Sequence, residues 1–445
     1  MKTTSTSPMS TMSDPGVTPT ETYLDTNVLL KVLEKKTADN LRDDRRDTLV
    51  ACWTSAAELS TFVVKSVRHA MQGGKGGSQA EALARAAREI LDHIGLDGTT
   101  RPNGIPVELR TVSPAAAAFV LAVAGSPMLA YAVPEPTARD RNRDYFRRWA
   151  TKKDLLGTAD MIITGWASYT GGHNGGLAEL LSRDSGCREL ASRIGFSATE
   201  GEPLLRAHCT CTEDGCPNPD HLRWKELAGK HGKWSALTRD PADLKHSRSA
   251  VLFTHSAFDA MATGGTRGRA VTQEMLDRIG DGGHTLVGLS TALMLQQSAI
   301  DRHNYIAWLK RKNGGRKSRN SPPVDPADHR NALRDADARS REYRSRVLQL
   351  LQGVFPLPDD RGRPVVTANS IVVPDVDTMK ELVHLRNPLN NQLSLRGKHL
   401  HPPLHEHEET AILNVLSSQG CDVLVVAAGE QADRLTAGGQ RVSRL

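Results

Sequence analysis

Glu21–Leu30 reads ETYLDTNVLL, an acid dropped between two apolar runs. Thr22–Leu30 is β-rich, and Asp25 closes its first half before Thr26 and Asn27 lead into Val28-Leu29-Leu30. An acid at the carboxyl tip of a parallel strand stands in the crevice where open α/β sheets bind ligands. This stretch therefore points to a parallel sheet with chemistry at its carboxyl edge.

The surrounding chain repeats the pattern. Leu49–Trp53 and Leu177–Ser182 read as further strands, and Ala56–Ala70 and Ser78–Ile94 have helical spacing. Gly73–Gly77 is a break between them. Strands alternating with helices predict an α/β fold with a parallel sheet flanked by helices. At 445 residues the chain is long enough for two or three folded units. Its 38% hydrophobic content excludes wholesale disorder, although aromatics supply only 4%. Residues 1–20 are rich in Ser, Thr and Pro, lack the apolar core of a secretory signal, and read as a disordered tail. Val112–Val133 approaches the length of a membrane span. Pro114, Gly125, Ser126 and Pro127 interrupt it, so the expectation is a buried amphipathic helix capped by Ser113 and ending near Gly125. A cytoplasmic protein without membrane contact follows. The net charge of +6 fits either a solvated surface or an anionic partner such as nucleic acid.

Three more acids share the position of Asp25 relative to strands and helices. Glu58 lies in TSAAELSTF just after the second strand, Asp160 opens the apolar helix of GTADMIITGWA, and Asp184 follows the strand of LAELLSR. Taken singly, each could cap a helix or decorate a strand end. Together they could converge, and converging carboxylates are stable only when protonated or when holding hard cations such as Mg²⁺ or Mn²⁺. In order, YLDTNVLL, SAAEL, ADMIITGWA and LLSRD resemble the motifs of the PIN-domain family of metal-dependent ribonucleases, over residues 21–200 and with an enlarged loop at 168–176. The resemblance implies that Asp25, Glu58, Asp160 and Asp184 hold Mg²⁺ or Mn²⁺, with Asn27 supporting Asp25 and Asp154 a substitute for Asp160. It implies endonucleolytic hydrolysis of RNA leaving a 5′-phosphate. The basic and aromatic run Arg139–Lys153 would lie near the substrate path. An antitoxin-like or regulatory protein and a homo-oligomer are the further partners it leaves open, although this chain is far longer than the small toxins of the family.

Residues 201–248 carry HCTCTEDGCPNPDHLRW, from His208 to Trp224, a second source of chemistry. Thiolates and imidazoles this close suit tetrahedral Zn²⁺, with Cys209, Cys211, Cys216 and His221 as its ligands. The string also resembles the His-Me finger (HNH) nucleases. That resemblance implies His208 as a general base, zinc on Cys211, Cys216 and His221, and His231 at the final motif position. A DNA endonuclease at this knot, or a binding protein whose acids do not turn over, are the alternatives to a ribonuclease. Cys52, Cys187 and Cys421 are scattered, which fits a reducing compartment.

Residues 249–445 echo the first half. AVLFTHSAFDAM resembles ETYLDTNVLLKV, HTLVGLSTALML resembles DTLVACWTSAAEL, and DVLVVAAGE follows EETAILNV as LLSRDS follows ADMIITGW. The expectation is a second α/β unit, PIN-like but stripped of its acids. Thr254 falls at the place of Asp25, Gly429 at that of Asp184, and Glu409 alone matches Asp160. Lys310–Arg319 would extend the basic surface. His399, His401, His405 and His407 could bind a transition metal, but the intervening Pro402-Pro403 favours a solvated loop.

Overall fold

The computed structural model describes residues 21–33, 48–59, 99–100, 106–126, 129, 156–173, 178–194, 198–199, 230–244, 249–263, 273, 284–300, 326–358, 361–366, 369–386 and 403–444. Six strands, β1 (Glu21–Leu24), β2 (Thr48–Cys52), β3 (Thr99–Thr100), β4 (Val107–Arg110), β5 (Ala178–Leu181) and β6 (Ala198–Thr199), form one sheet in the order β3-β4-β2-β1-β5-β6. Every pairing in it is parallel except β3 with β4. A strand in the middle of such a sheet is covered on both faces. On one face of β1 Tyr23 meets Trp166 edge-on, at 5.1 Å between centroids, while Leu24 enters a separate core cluster on the other. Helices α1 (Thr26–Leu33), α2 (residues 53–59), α3 (Pro114–Ala124), α4 (Thr158–His173) and α5 (Ser185–Ile194) belong to this half.

The mixed α/β class with helix-flanked parallel sheets holds, with local corrections. Residues 26–30 are helical rather than strand, because the Asp25 carbonyl accepts from the amides of Val28 and Leu29. Ser113 caps α3 by accepting from the Ala116 amide at 3.2 Å, and the helix ends at Gly125. It is not amphipathic: residues 116–124 are buried on every side, as a helix packed between layers must be. Residues 168–173 continue α4 instead of opening a loop. Among the described residues, no helix is long and apolar enough to cross a membrane.

The second sheet contains β7 (Thr238–Arg239), β8 (Ser249–Phe253), β9 (His284–Gly288), β12 (Asn369–Val372), β13 (Asp422–Ala427) and β14 (Val442–Arg444), with β10 (Val354–Pro358) and β11 (Pro364–Val366) as a separate antiparallel pair. Its order is β14-β13-β8-β9-β12-β7, the first order read backwards with β8 in the place of β1. The edge strand β7 reaches back into residues 201–248, so the second unit begins before residue 249. Its helices are α6 (His255–Thr263), α7 (Leu289–Ile300), α8 (Pro326–Leu351), α9 (Val376–Arg386), α10 (Leu404–Ser418) and α11 (Gly429–Ala437).

The repeat extends to single residues. Arg110 pairs with Cys52 as Val372 pairs with Gly288. Three residues beyond each, Ser113 and Asp375 cap α3 and α9 through the amides of Ala116 and Thr378. The halves then meet reciprocally. Helix α2 packs on α9, the counterpart of α3, with Ala56 and Ala57 in one cluster with Met379 and Leu382, and α3 packs on α7, the counterpart of α2. Two like surfaces exchanging equivalent contacts is the pattern of an isologous dimer, here within one chain.

Candidate functional site

Strand order reverses between β1 and β5, and the crevice at that switch point lies at the carboxyl ends of both strands. Asp25 follows β1 and is 1% exposed. Its backbone amide donates to the Leu181 carbonyl at 3.0 Å, which fixes it beside the end of β5. Ser182 Oγ donates to Asp25 Oδ2 at 2.7 Å and accepts from the Asp184 amide at 3.0 Å, so one hydroxyl spans both strand tips. Asn27 Nδ2 lies 3.4 Å from Asp25 Oδ2, and the Thr26 amide donates to Oδ1 at 2.7 Å. Thr26 Oγ1 donates to Glu58 Oε2 at 2.8 Å, which ties the first turn of α1 to the first turns of α2. Asp184 accepts from the amides of Gly186 and Cys187 at 2.6 and 3.2 Å, capping α5.

The four acids act on one another electrostatically. Burial pushes the Asp25 carboxyl above its usual range; hydrogen bonds from Ser182, Thr26 and Asn27 oppose the rise, and the charge of Asp184 adds to it. Burial, then the charge of Asp160, raises Glu58 to about 7. Burial, then Asp25 and Asp184, raises Asp160 to about 6. Like charges held together out of water favour the protonated form, and a cation would reverse that preference.

A ligand-sized group confirms how tightly part of the set converges. One carboxylate oxygen each from Asp25 and Asp160 and the Cys187 sulfur lie within 4.8 Å of one another. Burial raises the Cys187 thiol far above its ordinary range, so it stands there as a neutral group. Ser55 Oγ is buried without a hydrogen-bond partner and sits three residues before Glu58, on the same face of α2. Carboxylate oxygens gathered out of water in this way are a group that could hold a divalent cation. Ser182, Thr26, Cys187 and Ser55 were not singled out from the sequence. Ser182 and Cys187 flank Asp184 within the same short motif, and that proximity was the available signal.

The second half holds two of the acid-bearing helices. Arg386 Nε donates to the Ala57 carbonyl at 2.9 Å, next to Glu58, and its charge opposes the rise in the Glu58 pKa. Gln297 Nε2 donates to the Leu156 carbonyl at 2.8 Å, just before α4 and Asp160. Neither contact has a local signature in sequence, because each partner lies more than a hundred residues away.

At the matching crevice of the second sheet, Phe253 pairs with Val426 as Leu24 pairs with Leu181. That register puts Thr254 opposite Asp25 and Gly429 opposite Asp184, and the β8–β9 register puts Met294 opposite Glu58. The remaining acid, Glu409, accepts from the His255 amide at 2.8 Å, from Thr291 Oγ1 and from Gln431 Nε2. Protein donors occupy its oxygens on all sides. His405 and His407 are buried in the first turn of α10, not in a solvated loop, and proline at the helix start explains the misreading. His231 Nε2 donates to the Ala115 carbonyl at 2.9 Å and packs near Tyr169, so it docks the 230–235 helix onto the first half. Cys209, Cys211, Cys216, His221 and His208 lie outside the described residues, as do Asp154, Arg139–Lys153, Lys310–Arg319, His399 and His401. Compared with known proteins, the chain matches no family model, no curated protein and no solved structure.

Proposed function

We propose that the protein is a metal-dependent endoribonuclease of PIN type, with its site at the β1–β5 crevice and a second half that carries an inactive copy of the same unit. The observation that carries this reading is the convergence of Asp25, Glu58, Asp160 and Asp184 on one crevice, where burial and mutual repulsion raise three of their carboxyls. These four residues would hold Mg²⁺ or Mn²⁺. The ion, when bound, supplies Lewis acidity toward a phosphodiester and offsets its charge. Ser182 and Asn27 orient Asp25, Thr26 orients Glu58, and the capped start of α5 holds Asp184. The low exposure of Asp25 keeps bulk water from screening the site. The zinc set Cys209, Cys211, Cys216 and His221 is proposed as structural, and cytoplasmic action on RNA follows from the same reading.

The test is Mn²⁺-dependent cleavage of a labelled single-stranded RNA by the full chain. Asp25→Asn with Asp184→Asn is expected to lower the rate by at least about a hundredfold, the scale of losing charge stabilisation at a reacting centre. Cleavage at the wild-type rate by the double variant would refute the acid quartet. If His208→Ala instead abolished nicking of duplex DNA, the activity would belong to the Cys/His knot.

A further inference from the structure

Helix α8 is 26 residues long, and Asp328, Arg330, Asn331, Arg334, Asp335, Ala338 and Arg339 of its first half are exposed. Tyr343 Oη donates to Asp259 at 2.9 Å and Arg346 Nη1 to the Ala262 carbonyl at 3.1 Å, so the second half of α8 runs alongside α6. Because α6 starts at the carboxyl edge of β8, the turns of α8 before Tyr343 rise past that edge. Among the described side chains of residues 327–342 only Ala336 is buried, with Ala332, Leu333, Asp337 and Ser340 half-buried beside it. A helix polar all round needs ion pairs along its face or a partner. The ion pair of Arg346 with Glu342 lies at the packed end of α8.

Arg330, Arg334 and Arg341 are exposed and make no ion pair or hydrogen bond among the described residues. At 100° per residue they fall within about 40° of one another, spaced about 6 and 10 Å along the axis. Asp337 shares the stripe and has a partner of its own. Arg344, one turn beyond Arg341 on the same side, donates to the Gly125 carbonyl of the first half at 2.8 Å. The stripe therefore ends on the half that carries the acids. Unpaired guanidiniums in a row are suited to phosphates, which they bind as planar forks.

We propose that the Arg330–Arg334–Arg341 face of α8 is a docking surface for the phosphate backbone of single-stranded RNA, delivering it toward the first half. This rests on the nuclease reading of the acid crevice, and it assigns to the second half a substrate-holding role. Each guanidinium that neutralises a phosphate releases a counterion and adds about 0.7 to the salt slope of binding on a single strand.

The test measures binding of a fluorescent single-stranded RNA to the full chain in EDTA across a series of salt concentrations. Changing Arg330, Arg334 and Arg341 together to Ser is expected to reduce the slope of log K against log salt by about 2, from three lost phosphate contacts. Changing all three to Lys is expected to keep the wild-type slope, and Arg334→Ser alone to remove about 0.7. A single-stranded DNA of the same sequence serves as a second arm. An unchanged slope in the Ser variants, no binding of RNA by wild type, or a loss confined to DNA would overturn the proposal. Mn²⁺-dependent cleavage by Asp25→Asn/Asp184→Asn reports on the acid crevice separately, so failure of the surface and failure of the site are told apart.

Discussion

Asp160 and Glu409 hold matching places in the two halves and face opposite surroundings. Asp160 has fellow carboxylates, whereas Glu409 has three donors. Burial and repulsion raise Asp160 from its ordinary 3.8 to about 6. A raised folded-state value means that its contribution is fully present below pH 3.8 and is lost as pH rises through about 6. Asp160→Asn in EDTA is therefore expected to raise the melting temperature by about 2–4 °C at pH 8, a gain that has gone by pH 4. Thermal scans of Asp160→Asn across pH check this; no gain at pH 8, or an equal gain at pH 4, would contradict it. Burial raises the Glu409 carboxyl as well, to about 8, against the pull of its three donors. The acids themselves were legible in sequence because each stands at a strand–helix junction. Arg386 and Gln297 were not, since a contact between distant segments leaves no pattern in either of them.

At the scale of elements, the crevice depends on how α3 and α4 approach each other. A Cβ built on Gly165 of α4 would come within 2.8 Å of the Val120 side chain of α3. Gly165→Ala is expected to cost about 1–3 kcal/mol as the two helices are forced apart, measurable by urea denaturation. No loss of stability would show that the helices have room to separate. The helix caps were readable from the chain: Ser113-Pro114 marked the start of α3, and the described helix begins there. The reach of the helices was not. Val28-Leu29-Leu30 has β propensity, but the Asp25 carbonyl and the turn at Thr26-Asn27 commit it to α1. Short apolar runs carry no period long enough to separate strand from helix.

Across the whole molecule, two core clusters join the halves, and a third, around Leu252, Leu286 and Val425, lies within the second. Leu24, Ala51 and Leu181 of the first sheet share a cluster with Met379, Leu382, Val383 and Ala411 of the second half. The other large cluster likewise joins Tyr23 and Trp166 to Phe253 and Leu293. The full chain is expected to unfold in a single calorimetric transition, and residues 1–245 alone to lack cooperative melting; two separated transitions would contradict a shared core. The sequence echo between the halves anticipated the repeated strand order. It did not anticipate the reciprocal seating of α2 on α9 and α3 on α7, since periodicity describes faces and not their partners. In this arrangement the second half has Thr254, Met294 and Gly429 at the places of Asp25, Glu58 and Asp184, and it supports α2 and α4, which carry Glu58 and Asp160. A nuclease at this crevice requires a cation at those acids. Because Glu58 and Asp160 are raised to about 7 and about 6, binding at neutral pH must displace protons. Calorimetric titration of Mn²⁺ into the full chain at pH 6.5, in two buffers of different ionisation enthalpy, should show saturable binding with proton release. Glu58→Gln with Asp160→Asn should abolish both. Equal Mn²⁺ binding by wild type and that double variant would contradict the account.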